Sequence, residues 1–298
     1  MKEIQADLHM HGPIGFEPYW MKAQGYEGKN PLKLMTDACL ERGVTICAVT
    51  SESDQVDTSG VILRNTIHDR LGFLANNHIA TLPLGYQGDR FGDNSLVVAH
   101  GNDVIYFING QTVNAFDQGR QVDHLVIGSN TVPNGRSLDD TISYCSDYGL
   151  SQGLEHPDVK AHFGVGLDRA RELADRVDFI EGHNAQMRWP AWMRKMPKIG
   201  AFTRYSNEAA QALAQELSIP WIATSDAHRI RDAGIAHIIL NPQTRSFKDE
   251  DSLLSTLRDS VRIGAFETHQ GYESVVGWLN WVGKFQYALI FAKDREAA

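Results

Sequence analysis

Two imidazoles two residues apart, His9 and His11, close the apolar run that begins at Ile4. A carboxylate and an imidazole at the same spacing, Asp226 and His228, close the run Ile219 to Ala223. Side chains alternate across a strand, so each pair leaves its strand on one side and can meet one ion. His124 and His156 also sit at short apolar segments further along the chain. Imidazole nitrogen and carboxylate oxygen suit zinc, manganese or iron, and no Cys-x-x-Cys spacing offers thiolates instead. With 12 histidines a single His-x-His pair arises by chance, so it is the repetition of the spacing at a second strand end that points to a metal site.

These residues fall within longer motifs. "ADLHMHG" at Ala6 to Gly12, "DHLVIG" at Asp123 to Gly128, "LEHP" at Leu154 to Pro157, "FIEGHN" at Phe179 to Asn184 and "TSDAHR" at Thr224 to Arg229 occur in that order. Together they resemble the polymerase and histidinol phosphatase (PHP) superfamily of metal-dependent phosphoesterases over most of the chain, to about residue 240. The resemblance implies a distorted seven-stranded (β/α)7 barrel, similar to a TIM barrel, and a cluster of one to three divalent ions (zinc, manganese or iron). Carried over by position, His9, His11 and Asp226 hold one ion with Gln111 as a weak fourth ligand. His124 and His156 hold a second, and Glu52 with His228, helped by Glu17, a third. Two positions depart from the family pattern. Glu52 stands where the family has a histidine, and Gln111, a neutral amide, stands where it has a bridging glutamate. Glu155 and Glu181 are read as carboxylates that orient ligand imidazoles rather than as ligands.

The elements that position these residues are seven short apolar segments: Ile4 to His9, Thr45 to Thr50, Val104 to Asn109, His124 to Gly128, Gly153 to His156, Asp178 to Glu181 and Pro220 to Thr224. Between them Pro31 to Arg42, Asp168 to Arg176 and Asn207 to Leu217 carry apolar residues at helical spacing, the first stopped by Gly43. Alternating strands and helices predict a parallel barrel with its active site at the C-terminal strand ends, where the ligands above are expected. The Gly-rich and polar stretch "GYQGDRFGDNS" within Ile62 to Asn102 reads as a surface turn between a helix and a hairpin, with a loop reaching toward the substrate as the alternative, and Gln186 to Lys198 reads as a basic, tryptophan-bearing helix. Residues 1–298 read as one barrel domain with a helical segment around 270–298, whose Trp278, Trp281, Phe285 and Leu289 recur at helical spacing. That segment is interrupted by Asn280, Lys284 and Gln286, so it is not read as a membrane span.

The net charge of −9 argues against broad electrostatic binding to nucleic acid, and a small phosphorylated substrate fits better. Three cysteines without pairing pattern and an N-terminus lacking an apolar signal core predict a reduced, cytoplasmic setting. A homo-oligomer is compatible with the aromatic C-terminal segment. The expected activity is phosphoester hydrolysis by a metal-activated water, with Asp226 and His228 as catalytic groups and Arg229 as a phosphate contact. Two alternatives stay open: a barrel that binds metal or ligand without turnover, and hydrolysis of a C–N or C–O bond by one or two ions.

Overall fold

The computed structural model describes residues 3–11, 21, 25–52, 69–196, 200–240, 247–277 and 279. Glu17 and most of the C-terminal segment lie outside them, as does the side chain of Glu52. Eleven strands are present among the described residues: β1 (Ile4–Met10), β2 (Ile46–Glu52), β3 (Tyr86–Arg90), β4 (Ser95–His100), β5 (Asp103–Asp117), β6 (Arg120–Ile127), β7 (Ser151–Leu154), β8 (Phe179–Asn184), β9 (Trp221–Thr224), β10 (His237–Leu240) and β11 (Phe266–His269). Six α-helices accompany them: α1 (Pro31–Glu41), α2 (Arg70–His78), α3 (Leu138–Asp147), α4 (Leu167–Leu173), α5 (Arg204–Leu217) and α6 (Glu250–Ile263).

The strands form one sheet in the order β11, β10, β1, β2, β5, β6, β7, β8, β9, with the β3–β4 hairpin paired onto β5 through β4. The sheet curls into a nearly closed barrel, and Asp226 N donates to His9 O at 2.8 Å across the seam between the end of β9 and β1. Seven of the strands are those expected, and β3, β4, β10 and β11 are additional. The barrel is mixed rather than parallel. β6 runs antiparallel to both β5 and β7, while β1–β2, β2–β5, β7–β8 and β8–β9 are parallel. A hairpin joins β5 to β6 because Gln118 and Gly119 both take positive φ, 50° and 80°, as a two-residue turn between twisted strands needs. Among the described residues 69–102, α2 precedes the β3–β4 hairpin, and the glycine-rich stretch at 85–95 forms β3 and the turn of that hairpin rather than a connection ahead of it, the polar residues of β3 giving little apolar alternation to read.

Ile4, Ala6 and Leu8 of β1, Ile46 and Ala48 of β2, Ile108 of β5, Leu125 and Ile127 of β6, Phe179 of β8 and Ile222 of β9 fill the barrel interior. A second apolar layer packs α1 and α2 on the outer face of β2 and β5, and a third packs α3, α4 and α5 outside β6 to β9. Helix α1 starts as its sequence predicts, with Asn30 accepting from Lys33 N at 3.0 Å and Pro31 in the first turn. Helix α6 opens with a capping box between Asp249 and Ser252. No described helix is long and apolar enough to cross a membrane.

Candidate metal centre

Strict alternation along β1 would send His9 to the face opposite Ala6 and Leu8. The pairing with β2 shifts register between Asp7 and Met10, and Met10 falls in the outer layer while Leu8 stays in the interior one. This bulge turns His9 and His11 onto the interior side directly above Leu8. A second register shift, between Glu181 and His183 of β8, lets both Glu181 and Asn184 face the same space. Asp226, just past β9, has φ 46°, and His156, just past β7, has φ 26°. Left-handed backbone at two non-glycine residues costs of order 1–3 kcal/mol each and tends to mark functional rims.

The side chains gathered there are buried. His9 Nε2 and His11 Nε2 lie 3.0 Å apart. Asp226 Oδ1 is 3.1 Å from His11 Nε2, 3.7 Å from His9 Nε2 and 3.5 Å from His228 Nδ1. Glu181 fixes the tautomer of His9: its Oε1 accepts from Nδ1 at 2.8 Å, which leaves Nε2 as the ligating nitrogen. The other Glu181 oxygen accepts from His156 N at 2.9 Å and Asn184 Nδ2 at 3.1 Å. Asn184 Nδ2 also donates to Asp226 Oδ2 at 3.0 Å. Asp7 anchors the base of this arrangement by accepting from Ser225 N at 3.1 Å and Gly234 N at 2.9 Å, and burial lifts its carboxyl to about 6 against those bonds.

A second group stands beside the first. Asp123, Glu155 and His156 bring one ligand atom each within 4.8 Å of one another, as do His9, His11 and Asp226. Because β6 is reversed, the first half of β6 reaches the rim at which β5 and β7 end. His124 pairs with Leu154, the last residue of β7, which sets Asp123 level with Glu155. Asp123 shares the inward face with Leu125 and Ile127, and His124 takes the outward face with Val122 and Val126. His124 Nε2 meets Gln152 Oε1 at 2.8 Å, and Gln152 in turn bonds Ile142 O of α3; burial there pulls the His124 imidazole down to about 4. The structure thus brings together His9, His11, Asp226, His228 and His156, and sets His124 apart.

Gln111 is also apart. It points outward from β5, where its Nε2 donates to Val132 O at 2.8 Å and its Oε1 accepts from Val132 N at 2.9 Å. The guanidinium of Arg229 is engaged by Asp232, Glu273 and Gly277 O rather than turned toward the clusters. Glu52 ends β2 beside Thr112 in register. Asp123 and Glu155 were not singled out as ligands from the sequence. Asp123 is adjacent to a histidine in a strand buried on both faces, and Glu155 immediately precedes one, so residue type alone favoured the imidazoles. A cavity of about 620 Å³ opens near Ser146, Asp178 and Arg258, by the residues that lead into β7, β8 and β9, and therefore away from the clusters.

Electrostatics favour a cation. Asp123, Glu155, Glu181 and Asp226 are all buried within this rim, and Asp226 Oδ1 accepts no hydrogen bond despite three imidazole nitrogens around it. Burial pulls the His9 imidazolium down, but Glu155, Asp226 and Glu181 outweigh it and hold it well above the usual histidine range; His156 is raised to about 9 by its carboxylate neighbours against the same burial penalty. Buried carboxylates facing basic nitrogens, with an acceptor left without a donor, are what a divalent ion would satisfy. The donor set fits the hard-to-intermediate ions expected from the sequence.

Residues 204–261 match the PHP-associated family model. No curated protein matches the sequence. Among solved structures, the chain is similar to PsfC from Pseudomonas syringae PB-5123, with TM-score 0.55 and 13% identity over 98% of this chain and 100% of that one. It is also similar to a two-domain protein from Bacteroides vulgatus ATCC 8482 containing a predicted PHP-like metal-dependent phosphoesterase, with TM-score 0.52 and 14% identity over 90% of this chain and 65% of that one. A weaker likeness, TM-score 0.48 and 12% identity over 89% of this chain and 57% of that one, is to the lesion-specific endonuclease PfuEndoQ from Pyrococcus furiosus. The PHP-associated match over residues 204–261 and the barrel fold shared with these structures agree with the resemblance that the ordered motifs carry.

Proposed function

We propose that the chain is a metal-dependent hydrolase that cleaves a phosphoester of a small substrate. The observation that carries this reading is the convergence of His9 Nε2, His11 Nε2 and Asp226 Oδ1, with the His9 tautomer fixed by Glu181 for ligation. Bound divalent ions would polarise the phosphate and supply a hydroxide-like nucleophile near neutral pH. The protein's part is orientation and proton handling. Glu181 and Asn184 hold His9 and Asp226 in place. His228, with 20% of its side chain exposed against 5% or less for His9 and His11, stands at the mouth of the site. Its Nδ1 lies 2.9 Å from Asp226 O and so carries the hydrogen, which makes Nε2 the nitrogen that exchanges a proton with the leaving group. The net charge of −9 supports a small substrate over a polyanion. The test is phosphate release from a panel of phosphomonoesters and phosphodiesters by metal-depleted protein given back manganese. Turnover that requires manganese and disappears in Asp226→Asn is expected; turnover indifferent to metal, or unchanged in that variant, refutes the reading.

A further inference from the structure

We propose that Glu155 bridges the two ligand groups, so that one ion held by His9, His11 and Asp226 and a second held by Asp123 and His156 share its carboxylate. The proposal rests on reading this rim as a metal centre, and it replaces a bridging carboxylate that β5 does not provide. Glu155 Oε1 lies 3.5 Å from His9 Nε2 and 3.0 Å from His156 Nε2, so one side chain reaches a ligand nitrogen of each group. Glu155 is 2% exposed, and its Oε2 has no hydrogen-bond partner. A buried carboxylate oxygen left unbonded is costly unless a cation completes it.

The surrounding backbone serves the same arrangement. His156 N donates to Glu181 Oε2 at 2.9 Å, which pins the peptide that joins Glu155 to His156. The same Glu181 pins His9, so one carboxylate sets the orientation of a ligand in each group. On β5 the inward positions at this level are Gly110, Thr112 and Asn114, which pair with Ile127, Leu125 and Asp123 of β6, and none carries a charge. Gln111 faces the other way and spends both amide atoms on Val132. The bridging charge is therefore supplied from the end of β7.

Manganese titration of the full chain, followed by metal content and electron paramagnetic resonance, tests this without reference to activity. The wild type is expected to hold two manganese ions per chain with an exchange-coupled spectrum. Glu155→Gln is expected to keep one ion with an uncoupled spectrum, its second site weakened at least ~10-fold. Asp123→Asn, which leaves Glu155 in place, is likewise expected to keep one. Two coupled ions in Glu155→Gln overturn the bridge while leaving the metal centre standing. Two uncoupled ions, or a single ion, in the wild type overturn the bridge even if the variants fail to fold. No bound manganese in the wild type overturns the bridge and the metal reading together.

Discussion

Glu181→Gln removes one charge and keeps the shape, and the structure says where the loss falls. Glu181 Oε1 accepts from His9 Nδ1 at 2.8 Å and Thr224 Oγ1 at 2.5 Å, and Oε2 accepts from His156 N at 2.9 Å and Asn184 Nδ2 at 3.1 Å. A glutamine must present its NH₂ on one of these sides. Placed at Oε2 it opposes a backbone N–H that cannot turn and an Asn184 amide whose oxygen already accepts from Gln186 N. Two bonds to a charged acceptor are then lost, at ~1.5–3 kcal/mol each. Placed at Oε1 it forces the His9 hydrogen from Nδ1 to Nε2, the nitrogen needed for the ion. In both cases metal affinity should fall by ~10- to 100-fold. An opposing effect follows from charge. Glu181 helps keep the His9 imidazolium above its usual range, so its loss eases the proton that competes with metal. That compensation fades as pH rises, and the deficit should widen between pH 7 and 9. Calorimetric titration with manganese across that range reads it directly. An affinity within twofold of wild type throughout would refute the reasoning.

Three further outcomes follow. With chelator present, the melting temperature should fall as pH rises from about 6.5 to about 9, because His156 is raised from 6.5 to about 9 in the fold and its stabilising protonation is complete only below the unfolded value. Excess manganese should flatten or reverse that trend, and a chelated protein that gains stability over the same range would contradict the assignment. Asp123→Asn should lower metal content while His124→Gln should lower stability alone, since His124 bonds Gln152 on the outward face; elemental analysis beside thermal unfolding separates the two. Glu273→Ala should destabilise by ~3–5 kcal/mol in denaturant unfolding with metal content retained, because it strips the buried partner 2.8 Å from Arg188 and a second ion pair with Arg229; a variant as stable as wild type would show the network to be dispensable.

Strand existence was legible at β1, β2, the first half of β5, β6, β8 and β9 because these are short apolar runs bounded by polar or glycine residues, whereas β7, Ser-Gln-Gly-Leu, was placed by the His-Pro motif that follows it. Strand direction was not legible. The reversal of β6 depends on a two-residue turn at Gln118 and Gly119, which looks like any polar surface pair in the sequence. The site was legible where period-two spacing carried it, at His9 and His11 and at Asp226 and His228. It was not legible where burial on both faces erased the alternation: β6 is buried from Val122 to Ile127, so nothing in its pattern tells Asp123 from His124. Bulges add the other hidden element. The one in β1 places Leu8 and His9 on the same side, and no residue type there announces it.

The central claim is that this rim holds metal, and elemental analysis of the purified chain after growth with manganese, iron and zinc tests it most directly, with His9→Ala alongside. Two ions per chain in the wild type, with fewer in the variant, is the predicted result. A wild type with no bound ion, or a variant with unchanged content, would contradict the account.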